Sequence, residues 1–151
     1  MIVRLAKLTD LSDIVAFGKD AMEKSNYAPL PYNAVIARRT AKAAMTSKDS
    51  RVWVAEDKGR IVGLLIGEIG PMPWTHYFGA TDLVFIADAA GDMLLDAMLE
   101  WCKLRGVARI DMGVSAGPDR EDAVRRLFER KGFKYSGPMF HMNMELPGES
   151  K

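Results

Sequence analysis

The chain has 151 residues, with 21 basic against 20 acidic side chains, 48% hydrophobic and 27% charged residues, and a single cysteine. That length suits one domain able to bury roughly 70% of its unfolded surface, and the composition excludes general disorder, leaving only the polar tail 147–151 as an expected flexible segment. The charge balance excludes a global field for nucleic acid or anionic membrane, and the lone Cys102 excludes an intrachain disulfide or a zinc cluster of several thiolates. No apolar run approaches 18 residues and the opening MIVRLAKLTD lacks a signal peptide's apolar stretch, so a cytoplasmic protein without membrane partners is expected.

Residues 2–6 read as a first strand. Thr9 or Asp10 caps a helix over 10–24, with Leu11, Ile14, Val15 and Gly18 along one side. A two-proline loop, NYAPLP, leads to a second helix over 33–47, whose apolar residues are Val35, Ile36, Ala43 and Met45 and whose other side carries Arg38, Arg39 and Lys42. The period then changes to two: 51–56 and 61–69 are strands joined by the turn Asp57-Lys58-Gly59-Arg60, a hairpin. GPMPWTHYFG, 70–79, is an irregular aromatic loop, and 81–86 is a further strand. Leu94, Ala97, Met98 and Trp101 fall at helical spacing within a helix over 92–105 that Gly106 ends. A strand over 107–114 follows, then a helix over 118–131 with Pro118 at its start and Val124, Leu127 and Phe128 inward. Two closing strands are expected at 133–136 and 139–146, the second alternating Phe140, Met142, Met144 and Leu146 with His141, Asn143 and Glu145. The order β-α-α-β-β-β-α-β-α-β-β predicts a single α/β domain over 1–146, a mixed sheet with helices on both faces. Strands 81–86 and 107–114 should lie parallel as neighbours.

Four stretches in this order resemble the GNAT superfamily of acyl-CoA-dependent N-acyltransferases: VRLAKLTDLSDI (3–14), RVWVAEDKGRIVGLLIGEI (51–69), MLLDAMLEWCKLRGVARIDMGVS (93–115) and EDAVRRLFERKGFKYSGPMF (121–140). The GVSAG loop is similar to members common in bacteriophage genomes. The resemblance implies acetyl-CoA as cosubstrate, an amine acceptor of small-molecule or peptide kind, and direct attack of the amine on the thioester in a ternary complex. It implies that the fourth strand splays from the fifth and that the pantetheine arm hydrogen-bonds in the gap, along Val84, Phe85 and Ile86. A homodimer through the exposed last strands is a further expectation of the resemblance.

Two places depart from the family pattern. Its diphosphate loop, [QR]-x-x-G-x-[GA], corresponds here to Ile86-Ala87-Asp88-Ala89-Ala90-Gly91, about half a dozen residues shorter than usual and acidic. Ala89, Ala90, Gly91, Asp92 and Met93 are the candidate diphosphate contacts, because a helix N-terminus offers unpaired N–H groups and a positive dipole end. Asp88 reads either as the N-cap of an ordinary turn, consuming those groups, or as a charge repelling a phosphate. The second departure is Phe128, where the family's tyrosine protonates the leaving thiolate; phenyl has no proton to give.

An amine nucleophile must be deprotonated. Glu68, late in the hairpin, and Asp82, early in the central strand, are the leading candidate bases, with His76 and Asp111 behind them. Ser115 or Tyr135 is a candidate acid. His141 reads as surface, Cys102 has no partner histidine for a nucleophile's role, and no metal site is expected. Arg38, Arg39 and Lys42 read as a solvated face, or as contacts for a phosphate or an acidic partner; some of Arg120, Arg125, Arg126 and Arg130 are candidates for the cofactor's adenosine end. Two functions stand side by side: an N-acetyltransferase, and a non-catalytic binding or assembly module of the same fold, for example phage-associated. A nucleic-acid-binding domain is disfavoured because basic and aromatic residues do not interleave.

Overall fold

The computed structural model describes residues 1–114 and 117–146. Strand β1 (Ile2–Leu5) leads through a 3₁₀ turn (Leu8–Asp10) into helix α1 (Leu11–Glu23), followed by α2 (Ala34–Thr46), β2 (Ser50–Asp57), β3 (Arg60–Pro71), β4 (Phe78–Ala87), α3 (Gly91–Leu104), β5 (Arg109–Asp111) and α4 (Pro118–Arg130). The strands form one sheet in the order β1-β2-β3-β4-β5, antiparallel up to β4 and parallel between β4 and β5. This is the mixed α/β architecture expected, with its parallel pair in the expected place.

Period-two alternation in β2 and β3 divides the core in two. Trp53, Ala55 and Leu65 face α3 and meet Leu94, Met98, Trp101 and Cys102; Trp53 and Trp101 stand edge to face at 5.4 Å. Val52, Val54, Leu64 and Ile66 face the other way, onto Leu11 and Ile14 of α1 and Ala41 and Ala44 of α2. The hairpin closes on the two-residue turn Lys58-Gly59.

Several expectations need correction. Helix α2 packs by its small residues, Ala41 and Ala44, while Val35 and Ile36 are exposed. Alanines let the helix lie close to a flat sheet face, and that close approach fixes its rotation. The aromatic loop shrinks to 72–77 because both hairpin strands extend further along their ladder. The strand expected over 107–114 pairs only at Arg109–Asp111. The closing strands do not form: 133–146 carries no helix or strand, and Phe140, Met142 and Met144 are exposed. Alternation encodes a segment that can be a strand, but a strand needs a ladder partner, and this one has none within the described chain. The tail 147–151 lies outside the described residues.

One ion-paired cluster ties β1, the 3₁₀ turn and β2 together. The Arg4 guanidinium donates to both oxygens of Asp10, at 2.8 and 3.0 Å, and to Glu56 of β2 at 3.1 Å, while the Lys7 backbone N–H donates to Asp10 at 2.7 Å. Arg4, and secondarily the Lys7 N–H, hold the Asp10 carboxyl below its usual range against the opposing effect of burial. A depressed carboxylate contributes stability that is present above its unfolded value and lost as pH falls through its folded one. Asp10→Asn should therefore cost about 2 kcal/mol in urea unfolding at pH 7, the range for hydrogen bonds to charged groups. The gap to the parent should narrow as pH falls below about 4; a gap independent of pH would show that the charge of Asp10 is irrelevant.

Candidate active site

Strand β4 changes character halfway along. Gly67 pairs with Asp82 but the next pair is Ile66 with Val84, so Leu83 is an extra residue, a β-bulge that bends and twists the strand. On its other edge β4 pairs with β5 only through Gly79–Arg109, Ala80–Ile110 and Thr81–Asp111. From Asp82 onward the two strands part. Between them opens a cleft of about 240 Å³, walled by Phe85, Ile86 and Ala87 on one side and Gly113 and Val114 on the other. Helix α1 adds Phe17, Asp20 and Lys24 to the rim, and α4 adds Arg120, Val124 and Leu127.

Asp82 stands at the fork. Burial pushes its carboxyl above the usual range, while its own N–H and the Gly113 N–H, which the carboxylate accepts, act the other way.

At the far end of the cleft the chain passes from β4 to α3 in three residues. The N–H groups of Asp88 and Ala89 both donate to the Val62 carbonyl, at 2.8 and 3.2 Å, which pins the turn to β3. Gly63 makes that approach possible: a Cβ there would stand 3.1 Å from the Ala89 carbonyl oxygen and 2.7 Å from a Leu94 methyl. Ala90 is the helix N-cap, with φ 62°, and no side chain caps the helix. The first helical bond runs from the Leu94 N–H to the Ala90 carbonyl at 3.0 Å, so the amides of Gly91, Asp92 and Met93 have no partner inside the helix. This corrects the reading of Asp88 as the cap. Its carboxylate turns to Arg120 on α4 instead, 3.5 Å from Nη1, with both groups more than half exposed. At the opposite rim, α4 begins against the end of α1: a Cβ on Gly117 would stand 2.8 Å from the Lys24 carbonyl oxygen.

A second, more open groove of about 360 Å³ lies against α2, lined by Arg39, Thr40, Ser47, Ser50, Glu68 and Leu83, among others. Along β4, Leu83 lines the groove and Phe85 the cleft, with Val84 between them in sequence. The structure thus brings Glu68, half-buried and paired across the ladder with Thr81, to one side of the bulge, and Phe85, Ile86, Ala89 and Gly91 to the other. It does not bring His76, exposed in the β3–β4 turn, or Asp111, exposed and ion-paired to Arg109 at 3.0 Å, into either concavity. Tyr135 lies beneath Arg125 at 5.1 Å, His141 is exposed, and Ser115 lies outside the described residues. Phe128 is buried between Phe85 and Phe133, with ring centroids at 6.1 and 5.4 Å. Burial raises the Cys102 thiol to about 11, so it stays protonated at neutral pH in the α3 core. Among the described residues no three His, Cys, Asp or Glu side chains gather as metal ligands, and no helix is long and apolar enough to cross a membrane. Phe17, Lys24 and the cleft-facing role of Arg120 had no signal in the spacing, since α1 and α4 meet only in three dimensions.

The fourth strand of the sheet bulges and parts from its parallel neighbour, and an uncapped helix start lies at the gap. The family model for the acetyltransferase (GNAT) domain matches residues 3–122, and the chain belongs to that family. Solved structures agree in fold. A transcriptional regulator from Bacillus halodurans C-125 is 28% identical, with TM-score 0.73, covering 95% of this chain and 99% of that one. A predicted acetyltransferase from Clostridium acetobutylicum, solved with acetyl-CoA, is 15% identical, with TM-score 0.71 and coverage of 94% and 95%. A ribosomal-protein-alanine N-acetyltransferase from Brucella melitensis biovar Abortus 2308 is 13% identical, with TM-score 0.69 and coverage of 95% and 100%. No curated protein sequence matches the chain.

The Asp82 environment has a measurable consequence. A carboxyl raised by burial destabilises the fold once ionised, so the stability it allows is full below its unfolded value and is lost as pH rises through the folded one. Asp82→Asn retains an oxygen to accept from Gly113 and should melt at a higher temperature than the parent at pH 7. The advantage should vanish below about pH 4, where both states of the parent are protonated. A lower melting temperature at pH 7 would mean that the ionised carboxylate holds the fork together.

Proposed function

We propose that this chain is an N-acetyltransferase that passes the acetyl group of acetyl-CoA directly to an amine while both are bound. The observation that carries the reading is the parted β4–β5 pair ending at an uncapped helix N-terminus. Bound acetyl-CoA supplies an activated thioester and a thiolate leaving group; the chain supplies the rest. The main chain of β4 from Leu83 to Ile86 offers the edge along which a pantetheine arm lies as an added strand. The amides of Gly91, Asp92 and Met93, with the positive end of the α3 dipole, receive the diphosphate. The acidic turn is compatible with this because Asp88 already has a cation beside it. An exposed pair of this kind is worth about 0–1 kcal/mol, so Arg120 can turn to a phosphate at little cost. In position it replaces the Arg or Gln that the loop lacks.

Glu68 opens onto the groove beside Leu83, where an acceptor amine approaches, and takes its proton directly or through one water. Asp82 fixes the fork through the Gly113 amide. With Phe128 buried behind Phe85 and Tyr135 engaged by Arg125, the thiolate takes its proton from solvent at the cleft mouth. The acceptor is a small molecule or peptide carrying an amine, which the open groove admits. Nucleic acid is not part of this reading: Arg4, Lys24, Arg105, Arg109, Arg120 and Lys131 are each paired to a carboxylate. The non-catalytic module is the competing reading, and the observation on its side is Phe128.

CoA itself separates the two. At 100 times its Kd it should stabilise the fold by about 2.7 kcal/mol, visible as a raised melting temperature. Arg120→Ala should weaken CoA threefold to tenfold, roughly 1 kcal/mol. No shift at millimolar CoA would leave the module. Glu68→Gln should bind CoA as the parent does yet lose about 100-fold or more in kcat/KM for amine acetylation; an unchanged rate would remove Glu68 as the base.

A further inference from the structure

We infer that the acceptor is an amine that also carries a carboxylate, an aliphatic amino acid, and that Arg39 is the residue that selects it. The inference rests on the reading of the α2 groove as the acceptor's side of the bulge. Positions 39, 43 and 47 fall at i, i+4 and i+8 with 40 and 44 beside them, so one stripe of α2 forms the helix side of the groove. Ser50, Glu68 and Leu83, from β2, β3 and β4, form the sheet side. Arg39 and Glu68 are the charged residues of this lining, one on each side. They do not pair with each other, and among the described residues Arg39 has no carboxylate partner. The cations on the rim of the cleft differ, since Lys24 and Arg120 each stand beside an aspartate. Helix α2 contains no acidic residue, and Arg38 and Lys42 lie within one turn of Arg39, so their field adds to its own.

An exposed guanidinium alone is no site. What makes this one part of a site is the carboxylate across the groove, because one cation and one anion facing the same space match a zwitterion. The acceptor's ammonium must approach Glu68 to lose its proton, and the rest of the molecule then meets the remaining lining. Ala43, Ala44 and Leu83 offer apolar surface to a hydrocarbon chain; Leu83, the bulge residue, is 45% exposed. Arg39 donates through its planar fork, which fits a carboxylate with two parallel N–H···O bonds. A diamine would set a second ammonium against Arg39, and a phosphate ester would set a dianion beside Glu68. Each meets like charge that an amino acid avoids. A plain alkylamine leaves the guanidinium with water only. The groove's volume of about 360 Å³ lies within the range of small-molecule sites.

The test uses matched acceptors with acetyl-CoA: leucine against 3-methylbutylamine, and 5-aminopentanoate against butylamine, each pair differing by one carboxyl group. In at least one pair the acid should be preferred in kcat/KM by about tenfold or more, through a lower KM. Arg39→Ala should raise KM for that acid and erase the preference. Arg39→Lys, which keeps the charge without the fork, should restore part of it, and Arg39→Glu should turn the preference towards putrescine. Differences in amine basicity are common to parent and variants and cancel. Amines used as well as acids in both pairs, or a preference that Arg39→Ala leaves in place, would overturn the inference while the acetyltransferase reading stands. A titration without CoA separates the two in the other direction. Followed by NMR on isotope-labelled protein, leucine or 5-aminopentanoate should shift the Ser50 and Leu83 amides of the parent, whereas Arg39→Ala and the two plain amines should show no such shift. If no amine is acetylated, the acetyltransferase reading falls and this titration decides alone; amides unmoved by both acids would overturn the inference.

Discussion

The divergence of β4 from β5 is the constraint on which the rest of the molecule depends. Parallel strands normally continue their ladder, because every unpaired buried N–H or carbonyl costs free energy. Here the ladder stops after three pairs, and the cause is local: the extra residue Leu83 turns β4 on its axis while its antiparallel bonds to β3 continue. The backbone groups of β4 beyond Asp82 therefore face a cleft instead of a strand. An extended polar ligand can restore that missing ladder, whereas a compact one cannot. Asp82 makes the fork tolerable from the other side, giving the Gly113 amide an acceptor as β5 departs.

What happens at the end of β4 follows from the same geometry. A connection of three residues between strand and helix leaves no slack. The turn is held by two amides on one carbonyl, Val62, and by the absence of a side chain at Gly63. Within so short a turn Ala90 takes a left-handed backbone, which costs an L-residue roughly 1–2 kcal/mol. Such strain persists only where surrounding contacts over-determine it, and it lies here at a helix start that opens into the cleft. The result is a helix N-terminus without a side-chain cap, its dipole directed at the gap. Asp88 is drawn off to Arg120, so the acidic sequence of the turn does not make the turn itself an acidic surface.

Much of this was legible in residue order. The hairpin announced itself through period-two alternation and a Lys-Gly turn, and α3 through Leu94, Met98 and Trp101, because local pattern and tertiary burial agree at those places. They disagree in α2, where hydrophobicity favoured Val35 and Ile36 while packing distance favoured Ala41 and Ala44. Asp88 misled for a related reason: an acid before a helix is usually its cap, but a three-residue turn points this one away. Arg120 and Lys24 come from helices about a hundred residues apart in sequence, and nothing in either segment records that they share a rim. The alternation of 139–146 suggested a strand that does not form among the described residues, because alternation cannot supply the ladder partner a strand needs.

Phe128 joins these threads. It is a buried ring that links Phe85 in the cleft wall to Phe133 just beyond α4. A tyrosine hydroxyl in that stack would need a hydrogen-bond partner, and a buried hydroxyl without one costs about 1–3 kcal/mol. A phenyl ring avoids that cost and keeps the wall dry, but it removes the proton source from the cleft. The titratable side chains that line the cleft stand at its rim, among them Lys24, Asp20 and Arg120. The parting of β4 from β5 and the uncapped start of α3 are set by backbone geometry, independently of the residue at position 128.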